Sequence, residues 1–92
     1  MSNEFKPNYT VHPGKILTSD IQVLKITAEQ LAKDSDINIK VLKKILDCKL
    51  DISHENGIKL SKTLGYPKDF YNNLQSFYIE TKKRLKGDNY ES

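Results

Sequence analysis

Apolar residues along this chain recur at three- and four-residue intervals rather than in alternation, a spacing that predicts helices and no strands. The pattern divides into about five segments separated by short polar joints. The first opens at His12-Pro13-Gly14, where proline suits the first helical turn because its missing N–H has no partner there to lose. Ile16, Leu17, Ile21 and Leu24 follow as one apolar face. Thr27-Ala28-Glu29-Gln30 fits a capping box, with the Thr27 hydroxyl accepting from the Gln30 backbone N–H and the Gln30 side chain reaching back. The short helix it starts turns Leu31 and Ala32 inward and stops near Ser35-Asp36.

Asn38 is the expected N-cap of the third segment, and Leu42, Ile45 and Leu46 its buried stripe. The chain then runs through Lys49-Leu50-Asp51-Ile52 to Ser53, the expected cap of a fourth helix. Gly57, Leu60, Ser61 and Leu64 share one face of that helix, and their small members allow a close neighbour. Gly65 is the residue type favoured just past a helix C-terminus. Pro67 is expected to open the fifth helix, with Phe70, Leu74, Phe77 and Tyr78 on one face, and Gly87 to Ser92 reads as a frayed polar tail. The expectation is one all-α domain of about five helices over residues 1–92, with its core at about 12–86.

Composition narrows the function classes. A chain of 92 residues has little core to spare, so dimerisation would add stability. The single cysteine, Cys48, excludes an internal disulfide and argues for a reducing compartment. Met1 to Thr10 lacks the apolar run of a secretory signal, and no stretch approaches the roughly 18 apolar residues of a membrane span. A cytoplasmic protein without membrane attachment is expected. The formal charge of +3 permits an anionic partner without requiring one, so the placement of the lysines matters more than their number.

The informative stretch runs from Ala28 to Asp47. Two short helices joined by a three-to-four-residue turn can present the second to the major groove of DNA. That geometry requires a small residue where the helices touch, an apolar residue after the turn and two more inside the second helix. Ala32, Ile37, Leu42 and Ile45 supply them, the last three at offsets of five, ten and thirteen from the first. The arrangement predicts a helix-turn-helix unit, with Asn38, Ile39, Lys40, Lys43, Lys44 and Lys49 as candidate DNA contacts. Lysines grip phosphates but read bases less decisively than the arginine fork. Asn38 suits an adenine, Ile39 a thymine methyl, and Asp47 would repel a phosphate.

The run from His12 to Tyr78 resembles the HigA antitoxin branch of the lambda-repressor-like (XRE) helix-turn-helix proteins. The resemblance is carried by His12-Pro13-Gly14-Lys15-Ile16-Leu17, by Leu31-Ala32, by Ile45-Leu46 and by Ile58-Lys59-Leu60-Ser61-Lys62-Thr63-Leu64-Gly65. It closes on Phe70-Tyr71-Asn72-Asn73-Leu74-Gln75, where the family usually reads Phe-Trp-Leu-Asn-Leu-Gln. The resemblance implies a homodimer that binds its own operator DNA and neutralises a HigB-like, mRNA-cleaving toxin. Three further positions depart from the family pattern. Asp36 stands in place of the turn glycine, Ala28 in place of a phosphate-contacting glutamine, and Cys48 in place of the glycine after the recognition helix. Aspartate tolerates left-handed backbone better than most residues, so the turn survives.

Other chemistry is weaker in the sequence. Lys40, Lys43 and Lys44 also suit the solvated face of an amphipathic helix, and only their place after the turn points to DNA. His12 and His54 have no second ligand at metal spacing, so no metal or other cofactor is expected, and His12 reads as a cap or packing residue. Cys48 has no identifiable base. Tyr66, Phe70, Tyr71, Phe77 and Tyr78 fit core and dimer interface better than base stacking. The Lys82-Lys83-Arg84-Leu85-Lys86 run suits a helix C-terminus without further function. No triad, carboxylate pair or phosphate loop can be assembled, so an enzyme is not expected. Two alternatives stand beside the antitoxin. One is a phage- or plasmid-type regulator without a toxin partner, and the other is a protein-interaction module that has lost operator recognition.

Overall fold

The computed structural model describes residues 10–91, with side chains through residue 85. Five α-helices follow in order: α1 (Pro13–Leu24), α2 (Ala28–Ser35), α3 (Ile39–Leu46), α4 (His54–Thr63) and α5 (Phe70–Glu91). There is no strand among the described residues, so the all-α expectation holds. None of the described helices is long and apolar enough to cross a membrane.

Each of the first four helices begins on a side-chain cap, because the first N–H groups of a helix have no carbonyl to meet. His12 Nδ1 accepts from the Gly14 N–H, Thr27 from Gln30, Asn38 from Lys40 and Val41, and Ser53 from Asn56. Gln30 does not complete the capping box. Its amide donates instead to Asp34 Oδ1 at 2.9 Å, one turn further along the exposed face.

The same four helices also end alike. In each, a left-handed residue donates its N–H three residues back, and the next N–H reaches five residues back. The residues in the left-handed position are Lys25, Asp36, Cys48 and Gly65, with φ of 59°, 60°, 63° and 85°. Only the last is a glycine. At the others the backbone of an L-residue is crowded against its own Cβ, and the closing hydrogen bonds hold it there.

The core gathers Leu17, Leu31, Ala32, Ile37, Leu42, Ile45, Ile52, Leu60 and Tyr71. α2 packs on α3 and α4, α1 on α3 and α5, and α4 along α5. Two glycines set the closest approaches. A Cβ on Gly14 would strike the Ile45 carbonyl oxygen, and one on Gly57 would strike the Asn72 side chain.

Four details depart from the expectations. Leu24, expected on the apolar face of α1, is 52% exposed at the helix end. α5 starts at Phe70 rather than at Pro67, which instead accepts the Phe70 N–H across a turn. Its inward face carries Tyr71, Gln75 and Thr81, while Phe77 is 60% exposed. Buried polar side chains here take places that periodicity assigns to apolar ones. The segment read as a frayed tail continues the helix as far as Glu91, while Ser92 and the Met1 to Tyr9 part of the N-terminal segment lie outside the described residues.

Candidate nucleic-acid interface

The unit that presents α3 is assembled from short-range devices. α2 ends at Ser35, whose hydroxyl donates to the Leu31 carbonyl at 2.6 Å, and the chain reverses over Asp36, Ile37 and Asn38. Ile37 is buried in the turn, and its N–H returns to the Ala32 carbonyl at 3.0 Å. Ala32 of α2 is buried, and Leu42 and Ile45 of α3 are fully buried in the same core cluster. The turn is also clamped from outside. Lys59 of α4 donates to the Asp36 carbonyl at 3.0 Å, with its ammonium 3.9 Å from the Asp36 carboxylate and 3.5 Å from Glu55.

Burying Leu42 and Ile45 fixes what α3 shows to solvent. Lys40, Lys43, Lys44 and Asp47 are exposed, at the i, i+3, i+4 and i+7 spacing of a single helical face. Lys49 is exposed just past the helix, and its N–H closes α3 on the Lys44 carbonyl. Beside this end of α3 a shallow cleft is lined by Lys15, Thr18, Ser19 and Gln22 of α1 together with Asp47.

The structure places the six candidate contacts differently. Lys40, Lys43 and Lys44 lie together on the exposed stripe, and Lys49 sits at its end. Ile39 is half-buried and packs against the core, so only part of its side chain faces outward. Asn38 is committed to capping. Its Oδ1 accepts from the Lys40 N–H at 2.8 Å and the Val41 N–H at 3.4 Å, which leaves the Nδ2 group for any outside partner.

Lys43 is committed as well. Its ammonium lies 3.5 Å from the Glu29 carboxylate in the first turn of α2. A backbone hydrogen bond, and after it the Lys43 ammonium, hold the Glu29 carboxyl below its ordinary range. Glu29 and the Lys59 clamp went unread in the sequence. Their partners lie 14 and 23 residues away, and neither distance leaves a periodic trace.

The motifs flanking the unit are structural. His12 caps α1, sets its ring edge against Tyr78 at 4.9 Å between centroids, and holds Nε2 3.3 Å from Asp51. Gln75 Oε1 accepts the buried Ile52 N–H at 2.8 Å, so the last helix supports the loop that leaves α3. Tyr71 takes the tryptophan position of the motif. Its hydroxyl donates to Asp20 of α1, which also accepts from Tyr66 at 3.0 Å.

Two clamped, capped helices with a cationic stripe on the second define a helix-turn-helix protein. No family model and no curated protein matches the chain. Among solved structures it is similar to an addiction module antidote protein of the HigA family from Coxiella burnetii, at 32% identity over 88% of each chain and a TM-score of 0.77. It also has the fold of PA4674 from Pseudomonas aeruginosa, solved in complex with its 18-bp operator DNA, at 24% identity over 92% of each chain and a TM-score of 0.82. The chain belongs to the HigA family of antidote proteins.

Proposed function

We propose that this chain is the DNA-binding antitoxin of a type II toxin–antitoxin pair, a single-domain binding protein rather than an enzyme. In this reading it acts as a homodimer, represses its own operon and neutralises a HigB-like, mRNA-cleaving toxin. The observation that carries the DNA-binding part is the stripe of Lys40, Lys43 and Lys44, held outward because Leu42 and Ile45 are buried on the opposite face of a helix that follows the motif turn. The operator complex of PA4674 supports the same use of the fold, and membership of the HigA family supports the toxin partner.

A symmetric dimer would set its two recognition helices about one helical turn of DNA apart and protect two inverted half-sites. Titration of the purified protein against the DNA upstream of its gene and against a scrambled duplex, at several salt concentrations, tests this. Specific binding that weakens steeply with salt is expected, because lysines on phosphates release counterions. Equal binding to both duplexes would remove the repressor role. Co-expression with the product of the adjacent gene tests the toxin arm. Rescue of growth and a stable complex are expected, and Lys43→Ala with Lys44→Ala should leave rescue intact if the toxin binds elsewhere.

One observation favours a second reading. With Asn38 Oδ1 occupied by two backbone N–H groups, the stripe offers lysines and little else for reading bases. A protein-interaction module that binds DNA without sequence preference fits that face. Preference for the upstream DNA over the scrambled duplex decides between the two.

A further inference from the structure

Glu29 lies on α2, the first helix of the motif, which in helix-turn-helix proteins crosses the DNA backbone. It lies in the first turn of α2, at the end of the helix where unpaired N–H groups and the helix dipole favour an anion. Its carboxylate also reaches across to α3 and holds the Lys43 ammonium at 3.5 Å, with both side chains more than half exposed. Thr27 has already taken the Gln30 N–H of the same turn. One anion therefore serves both the positive end of α2 and a lysine of the recognition stripe, which is the pair of interactions that a phosphate oxygen would make.

We infer that Glu29 is an internal stand-in for a DNA phosphate, holding Lys43 in the free protein and competing with the backbone of any duplex that approaches α3. The inference rests on the proposed DNA-binding role of α3. A carboxylate that leaves Lys43 on binding keeps its negative charge beside the phosphates, so the competition weakens binding to all sequences alike. It also removes one lysine from counterion release, because an ammonium already paired with a carboxylate has less charge to neutralise.

The experiment uses the full chain and a random-sequence duplex, with affinity followed by fluorescence anisotropy from low to moderate salt. Four proteins are compared with the wild type: Glu29→Gln, Lys43→Ala, the double variant, and Asp34→Asn. The last changes the net charge equally at another exposed position of α2. Glu29→Gln is expected to tighten binding by about 1.5-fold to fivefold at low salt, the range open to an exposed ion pair. It should also steepen the log–log salt dependence by up to about 0.9, the value of one phosphate contact. In the Lys43→Ala background most of that gain should disappear, and Asp34→Asn should give less of it. Equal tightening with and without Lys43, or equal tightening by Asp34→Asn, would reduce Glu29 to net charge and overturn the inference. No tightening at all would also overturn it. If neither wild type nor Glu29→Gln binds the duplex at any salt concentration, the DNA-binding reading falls first, and this inference falls with it.

Discussion

In the α2–α3 unit the caps reach two or three residues along the chain, from Thr27 to Gln30 and from Asn38 to Lys40 and Val41. The side chains that fix α5 reach much further. Gln75 holds Ile52 across 23 residues, Tyr71 and Tyr66 meet Asp20 across 51 and 46, and Asn72 holds His54 across 18. The first region is closed chiefly by local hydrogen bonds around an aliphatic centre of Ala32, Ile37, Leu42 and Ile45, with the Lys59 clamp from α4 as its long-range addition. The second is closed by polar groups carried on distant elements. Local closure makes the recognition unit a self-consistent piece, while the frame around it depends on tertiary contacts being satisfied together.

Substitutions in the two regions should therefore fail for different reasons. The largest effect is expected for Leu42→Ala, which removes a fully buried side chain from the aliphatic centre. Urea titration should show a loss of about 2–5 kcal/mol, the range for such truncations. A loss below about 1 kcal/mol would mean that the unit is held by its caps rather than by its centre.

Tyr71→Phe is expected to cost about 1.5–3 kcal/mol, because it deletes a hydrogen bond to a charged acceptor at a buried position. This variant also carries a pH signature. Burial, and after it the hydrogen bond from Tyr71 to Asp20, push the Tyr71 phenol well above its ordinary value of 10.0, and the bond to Asp20 raises Tyr66 too. A group whose folded pKa is raised contributes its full stability below the unfolded value and loses it as pH climbs beyond. Wild-type stability should thus hold up to about pH 10 and fall above it, and the fall should be shallower in Tyr71→Phe. Parallel alkaline limbs for the two proteins would rule the linkage out.

Gln75→Leu should cost about 1–2 kcal/mol. It leaves the Ile52 N–H buried without its acceptor, and the loss is partly offset because Gln75 Nε2 is itself buried without a hydrogen-bond partner. Circular dichroism melts of this variant beside Leu42→Ala compare polar and apolar closure directly. The smallest effect has the opposite sign. Cys48→Gly relieves a left-handed L-residue at the end of α3 and should stabilise by about 1 kcal/mol, raising the melting temperature by a few degrees. A lower melting temperature would show that the half-buried Cys48 side chain contributes more than its backbone strain takes away.

Legibility in the sequence follows the same division. The first four helices, the caps Thr27, Asn38 and Ser53, and the residues Ala32, Ile37, Leu42 and Ile45 all leave short-range patterns, and the structure has them where those patterns place them. The inward face of α5 leaves none, because Gln75 and Thr81 are buried and Phe77 is not, the reverse of their hydropathy. Pro67 suits a turn as well as a first helical position, which is why α5 starts at Phe70 rather than at Pro67. At the candidate site, exposure of Lys40, Lys43 and Lys44 was readable from helical spacing alone. The pairing of Lys43 with Glu29 joins two helices whose relative pose only folding sets, and so was not.

Gly14 has a consequence for motion. Its backbone lies so close to the Ile45 carbonyl that no Cβ fits between them, which joins the start of α1 to the recognition helix without an intervening layer of side chains. Side-chain layers yield by changing rotamers; a backbone-to-backbone contact has no such freedom. α1 and α3 should therefore open and close as one cooperative unit, with amide hydrogens near Leu17 and Leu42 exchanging at similar rates. A tilt imposed on α3 would meet α1 at this contact, and Asp20 of α1 in turn accepts the hydroxyls of Tyr66 and Tyr71. The face proposed to meet DNA is thereby joined, through α1 and Asp20, to Tyr71 in the first turn of α5.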